Sequence, residues 1–119
     1  MKVRCIKLLD SMGEVAEHSA WARVGNVYHV LSISISPSQT RLCLIGDEPT
    51  PALFELDMFE IVSSTIPSVW VITSPKSGWF SLAPEPWSRP GFWEEFYDRE
   101  PEAMACFEEY RKLIVASEP

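Results

Sequence analysis

The chain has few of the residues that enzymes and nucleic-acid binders rely on. There are two histidines, His18 and His29, and three cysteines, Cys5, Cys43 and Cys106, which are far apart and odd in number. A disulfide scaffold carries a denser and usually even set. No CxxC or Cys/His spacing matches a zinc site. Ten Lys and Arg stand against 17 Asp and Glu, a formal net charge of −7. Phosphate binding draws on Lys and Arg, so this balance argues against direct binding of nucleic acid. No apolar run has the length needed to span a bilayer, and Met1-Lys2-Val3-Arg4 leads into an alternating segment rather than a signal core. The thiols therefore read as reduced, buried small hydrophobes in a cytoplasmic protein that does not contact membranes.

The motifs of catalysis are missing as well. No GxxxxGK[ST], GxGxxG or GxSxG occurs. His29 falls on the apolar face of a strand pattern and reads as structural, while His18 sits beside Glu17 in a polar loop. Nucleophile, base and orienting group never come as a set, so the chain is read as a non-enzyme without cofactor. The carboxylates Glu94, Glu95, Asp98, Glu100 and Glu102 are spaced neither as an EF-hand nor as a facial triad, and no metal is expected.

What the chain does have is rings and alternation. Five Trp, six Phe and three Tyr supply large apolar areas for a core. With 46% hydrophobic and 23% charged residues over 119 positions, the chain belongs with single globular domains rather than disordered ones. Val3–Leu9 is β-leaning with mixed parity: Val3 and Cys5 share one face and Ile6 and Leu8 the other, which points to a bulge or to burial on both sides. The segment 10–20 is polar and reads as a loop. The clearest strand is Asn26–Ser36, in which Val27, His29, Leu31, Ile33 and Ile35 alternate with Ser32, Ser34 and Ser36. Pro37-Ser38-Gln39 turns it into a partner strand, Arg41–Ile45.

Ala52–Ser63 reads as two short strands joined near Leu56-Asp57, Val69–Thr73 as a buried strand, and Pro75–Gly78 as a tight turn before Trp79–Leu82. After a linker over 84–90, a short helix is expected in Gly91–Tyr97. A final helix follows, with Asp98 or Glu100 as cap and Pro101 in its first turn. Its apolar face is Ala103, Cys106, Phe107, Tyr110 and Ile114. The expected architecture is mainly β (α+β): a small antiparallel β-barrel of five to six strands over 1–83, a linker over 84–90 and a C-terminal helical cap over 91–116.

The segments Val24-Gly25-Asn26-Val27-Tyr28-His29-Val30-Leu31, Leu44-Ile45-Gly46-Asp47-Glu48 and Leu53-Phe54-Glu55-Leu56-Asp57-Met58-Phe59-Glu60-Ile61-Val62 resemble the rhythm of SH3-like barrels. The resemblance covers residues 21–73. It departs from peptide-binding SH3 domains in lacking their clustered Tyr-aromatic groove, so a proline-rich ligand does not follow. In general character (short, acidic, aromatic-rich, without catalytic motifs) the chain is also similar to bacterial immunity proteins that neutralise toxins. That likeness implies a non-enzymatic inhibitor.

Charge is concentrated where such an inhibitor would use it. Residues 85–119 hold nine acidic and four basic side chains, net −5, against −2 for the rest. Pro84–Pro101 adds Trp87, Phe92, Trp93, Phe96 and Tyr97 to these carboxylates. Carboxylates around aromatic anchors suit an interface with a basic protein, steered by charge. The leading expectation is an immunity-type protein that blocks a basic, nuclease-like toxin. Glu94, Glu95, Asp98, Glu100 and Glu102 would supply the charge, and Trp87 and Trp93 the anchors. Two alternatives stand beside it: a phage-encoded inhibitor of a nucleic-acid-binding complex, and a small-ligand or peptide module whose site is a barrel mouth near Trp21, Tyr28 and Trp70.

Overall fold

A computed structural model describes residues 1–10 and 12–118. Among these described residues, ten short strands and two α-helices follow one another in the order β1 (Lys2–Cys5), β2 (Leu8–Leu9), β3 (Val15–Ala16), β4 (Val27–His29), β5 (Ser32–Ile35), β6 (Thr40–Leu44), β7 (Ala52–Glu55), β8 (Phe59–Ser63), β9 (Trp70–Thr73), β10 (Phe80–Pro84), α1 (Phe92–Tyr97) and α2 (Pro101–Ser117). Single 3-10 turns occupy Leu56–Met58 and Glu85–Ser88. The fold is mainly β with a C-terminal helix. Its strands form three antiparallel sheets, ordered β4-β1-β8, β7-β6-β5-β10-β9 and β2-β3. Among the described residues these sheets do not close into a barrel, and the strands outnumber the five or six expected.

The extra strands come from breaks in runs that the sequence shows as continuous. Asn26–Ser36 is the main case. Val30 N donates to Met1 O at 3.0 Å, whereas Leu31 N donates to Cys43 O at 2.8 Å. The backbone therefore leaves one sheet and enters the other between these two residues. Burial parity inverts at the same point: Tyr28 and Val30 face inward before it, Leu31 and Ile33 after it. Val27, expected on the inner face, is exposed. The chain crosses between the sheets again at the Leu56–Met58 turn, which joins β7 to β8 and separates Ala52–Ser63 into the two expected strands.

Both sheets contribute to one core. Val3 and Cys5 on β1, Tyr28 on β4 and Phe59 on β8 meet Leu42, Leu44 and Phe54 of the larger sheet. The Phe54 and Phe59 rings touch edge to face at 6.1 Å, a preferred geometry for aromatic pairs. The mixed parity of Val3–Leu9 has two sources: a register irregularity between Lys2 and Val3 against β8, and the end of β1 at Cys5. Part of the polar segment 10–20 pairs as β3 with β2. The Asp10 carboxylate holds that turn by accepting from Met12 N and Glu14 N. Ser11 lies outside the described residues.

The five-stranded sheet has a second, outward face. Its register sets Thr73 beside Ser81 and Ser81 beside Ser34, and it sets Ser32 beside Cys43 and Cys43 beside Leu53. Cys43 is buried despite pointing away from Leu42 and Leu44, because the C-terminal segment covers this face. Helix α2 packs with Ala103, Phe107 and Ile114 buried and Cys106 and Tyr110 half-buried, as its three-and-four spacing requires.

Candidate partner-binding surface

The C-terminal segment is seated by its rings. Pro84 ends β10, and the 3-10 turn after it points Trp87 inward. Gly91, at φ 81°, lies in the left-handed region and opens α1, a conformation that costs a residue with a Cβ. Phe92 then turns inward and stacks on Trp87 at 6.5 Å. Phe107 of α2 stacks on Trp87 at 4.8 Å, and Phe96 meets Phe107 at 4.7 Å. Trp87 is 2% exposed and Phe92 1%. This corrects the expectation that Trp87 is an anchor for a partner: its ring is the centre of the aromatic cluster, and 84–90 is a packed turn rather than a free linker. Trp93 is half-buried, with its edge on Trp87 at 5.8 Å.

The connection between the helices fixes where the carboxylates go. Arg99 adopts φ 62°, and its N–H donates to Phe96 O, while Glu100 N donates to Glu95 O. This is the Schellman arrangement of a helix end, with arginine where glycine is the usual residue. Pro101 then starts α2 with Glu100 as the preceding residue; the Glu100 side chain makes no capping hydrogen bond. The sharp reversal brings Glu95, Asp98, Glu100 and Glu102 around one depression of about 620 Å³, floored by Phe92, Ala103 and Cys106. Asp98, Glu100 and Glu102 are exposed. Glu94 is exposed too but lies on the other side of α1, lining a separate cavity with Trp93 and Tyr97. Four of the five expected charge donors are thus gathered, and the fifth is not.

One cation enters this acidic depression. Arg89 donates to Glu95 Oε2 at 2.6 Å. Its hydrogen bond holds the Glu95 carboxyl below the usual carboxylate range, and Glu95 in turn raises Arg89. Four carboxylates share one guanidinium, so the depression keeps a negative excess. The sequence reading missed Arg89, whose only local signal is its spacing of six residues before Glu95. Burial pushes up the Cys106 thiol at the floor, so it stays protonated. Among the described residues, no group of three or more His, Cys, Asp or Glu side chains is placed to hold a metal ion.

The expected barrel-mouth site takes a different form. Tyr28 and Trp70 are core residues with their polar atoms spent internally: Tyr28 OH donates to Asp47 Oδ1, and Trp70 Nε1 donates to Leu31 O. Trp21 is part-exposed, and its carbonyl accepts from Asp47 N. Of the histidines, His18 is exposed and the half-buried His29 ring lies 2.5 Å from Glu118 O at the end of α2. No family model matches the chain, and neither a curated protein nor a solved structure matches it. Among the described residues, no helix is long and apolar enough to cross a membrane.

Proposed function

We propose that this chain is a non-enzymatic binding protein of the immunity type, which blocks a basic, nuclease-like protein by seating that partner's Lys or Arg side chains in the acidic depression. The observation that carries the reading is the convergence of Glu95, Asp98, Glu100 and Glu102 on one concave surface at the α1–α2 reversal. Such a surface steers a cationic partner and raises its association rate. The exposed Pro101 and the half-buried Pro86 and Cys106 in its lining give the aliphatic stems of Lys or Arg something to cover. Trp93, half-buried, lines the separate cavity on the other side of α1, so the expected anchors do not sit at this depression and charge carries the contact. A phage-encoded inhibitor of a nucleic-acid-binding complex would use the same surface, because clustered carboxylates imitate phosphate.

The cytoplasm suits three free thiols. What supports the SH3-like reading of residues 21–73 is that two sheets share one core and exchange the chain at three crossings, β4 to β5, β7 to β8 and β8 to β9. The test is kinetic. The immobilised protein is offered basic proteins from a bacterial lysate, alongside a Glu95→Lys/Asp98→Lys/Glu100→Lys/Glu102→Lys control. The reading requires a partner that the control does not bind and whose association rate falls about tenfold or more from low to high salt. A partner bound equally by both proteins, or on-rates flat in salt, ends it.

A further inference from the structure

The five-stranded sheet ends in β9, and this edge differs from the others. An open strand edge is a row of unpaired backbone groups, and proteins commonly guard it with charge. The edge strands β7 and β8 carry Glu55 and Glu60, paired with Arg41 and Arg4. On the edge strand β4 the His29 ring meets Glu118 O. Strand β9 carries no such guard. It lies within Ile61–Pro75, the longest stretch of the chain without an Asp, Glu, Lys, Arg or His.

One hydrogen bond shows which backbone groups face outward. Trp70 N donates to Pro67 O at 3.1 Å rather than to Pro84, which stands opposite it on β10. The Trp70 N–H therefore points away from β10. Backbone groups alternate sides along an antiparallel strand, so the N–H and C=O of Ile72 point the same way, over the open edge. Among the described residues nothing bonds to them there.

The side chains along this edge are apolar and solvated. Ile72 is 71% exposed and Phe80 49%. Ile72 stands opposite Leu82 on β10, and Phe80 is two residues from Leu82, so all three share one face of the sheet. Ile35, opposite Phe80 and half-buried, continues that face toward the core.

Charge selects the occupant. With a net charge of −7, two copies of this chain repel each other across most of their surface. Along β9 they meet without a charged side chain. An antiparallel strand about a twofold axis is also its own complement. With Ile72 opposite Ile72 of a second copy, the N–H of each donates to the C=O of the other.

We propose that two copies of this chain associate through β9, antiparallel and centred on Ile72, so that their five-stranded sheets continue as one. Val71 of each copy then stands opposite Thr73 of the other, and Ile72 and Phe80 of both copies form one apolar strip beside the joint. The pairing is short, which sets a weak dimer with a Kd of about 10–100 µM. None of these residues lines the acidic depression, and the dimer is independent of the partner proposed for it.

Sedimentation of the full chain from about 2 µM to about 500 µM tests the pairing. The mass should rise from one chain toward two and stop there, because a twofold joint consumes both edges. The Ile72 amide, read by hydrogen exchange in NMR spectra, should slow by about threefold between about 20 µM and about 500 µM. Ile72→Lys sets two ammonium groups against each other at the axis and should raise the Kd about tenfold or more. The position is exposed, so this variant should unfold in urea as the parent does. A single-chain mass throughout, growth past two copies, an Ile72 amide indifferent to concentration, or a folded Ile72→Lys that pairs as before would each overturn the dimer. If Ile72→Lys does not fold, the mass and the amide of the unaltered chain decide.

Discussion

The two sides of α1 are lined by residues from the same short stretch and have opposite chemistry. On one side the lining is carboxylate with a single guanidinium; on the other it is indole, phenyl and hydroxyl. Glu94 and Glu95 are adjacent in sequence and separate onto the two sides, because neighbours on an α-helix point about 100° apart. Arg89 touches both linings but bonds only to Glu95. An acidic, aromatic-rich segment is thus two surfaces back to back, and its composition averages over them.

Removing the ring on which both sides rest breaks this comparison most severely. Trp87→Ala deletes the stack with Phe92 and Phe107 and should cost about 3–5 kcal/mol in urea unfolding. Trp93→Ala, at the half-exposed edge of the same cluster, should cost about 1–2 kcal/mol. Similar losses for the two would mean that the segment has no ordered centre. The charge-reversed quadruple variant sharpens the comparison from the other side: it should lose partner binding while its urea-unfolding free energy stays within about 1 kcal/mol of the parent, because the reversed side chains are surface charges and the rings behind them are untouched. A larger loss of stability would show that the acidic side also holds the segment in place. Arg99→Gly relieves the left-handed backbone at the α1–α2 reversal and should stabilise by up to about 1 kcal/mol, less what the unfolded chain gains in freedom.

The smallest effects are titrations. In Arg89→Ala the Glu95 carboxyl should move back up toward its ordinary range, read by carboxyl NMR, since the Arg89 hydrogen bond is the main cause of its lowering. Far from both sides of α1, Glu118 is lowered to about 2, first by the Ser63 hydroxyl and then by the Met1 amino group. A depressed carboxyl contributes stability that is present above its ordinary value of 4.5 and lost as pH falls toward about 2. Glu118→Gln should flatten the stability profile in that acid window and leave it unchanged near neutrality.

Local pattern carried the parts of the fold that local physics decides. The face of α2 follows from its three-and-four spacing. The β5–β6 hairpin follows from Pro37-Ser38-Gln39, where Ser36 N donates to Gln39 O. The β9–β10 hairpin follows from Pro75–Gly78, with Gly78 at φ 81°. What pattern could not carry is the change of sheet at Val30–Leu31. Both residues are extended and apolar, and the alternation runs through them without a Gly or Pro to mark the break. The switch exists only because Met1 and Cys43 offer partners on different sheets.

Trp87 was misplaced for a related reason. A Pro-rich flank reads as a spacer, and nothing within it announces that Phe92 and Phe107 will meet its ring. The hydroxyl-bearing outward face of the five-stranded sheet is half visible in the sequence, as Ser32 and Ser34 alternating along one strand. Ser81 and Thr73 arrive beside them only through sheet order.

The crossing at Val30–Leu31 also sets an order of assembly as the chain emerges from a ribosome. The β5–β6–β7 meander and the β9–β10 hairpin close on themselves, so each can form as soon as it is made. Strand β1 cannot do the same. Its partners are β4, where Val3 meets Tyr28, and β8, where Val3 meets Ile61. Strand β1 is the centre of the three-stranded sheet, and one of its edges stays open until β8 has followed. Distant pairings slow the search for the native state and leave edges available to other chains. Translation-coupled folding should therefore expose β1 longer than any other strand.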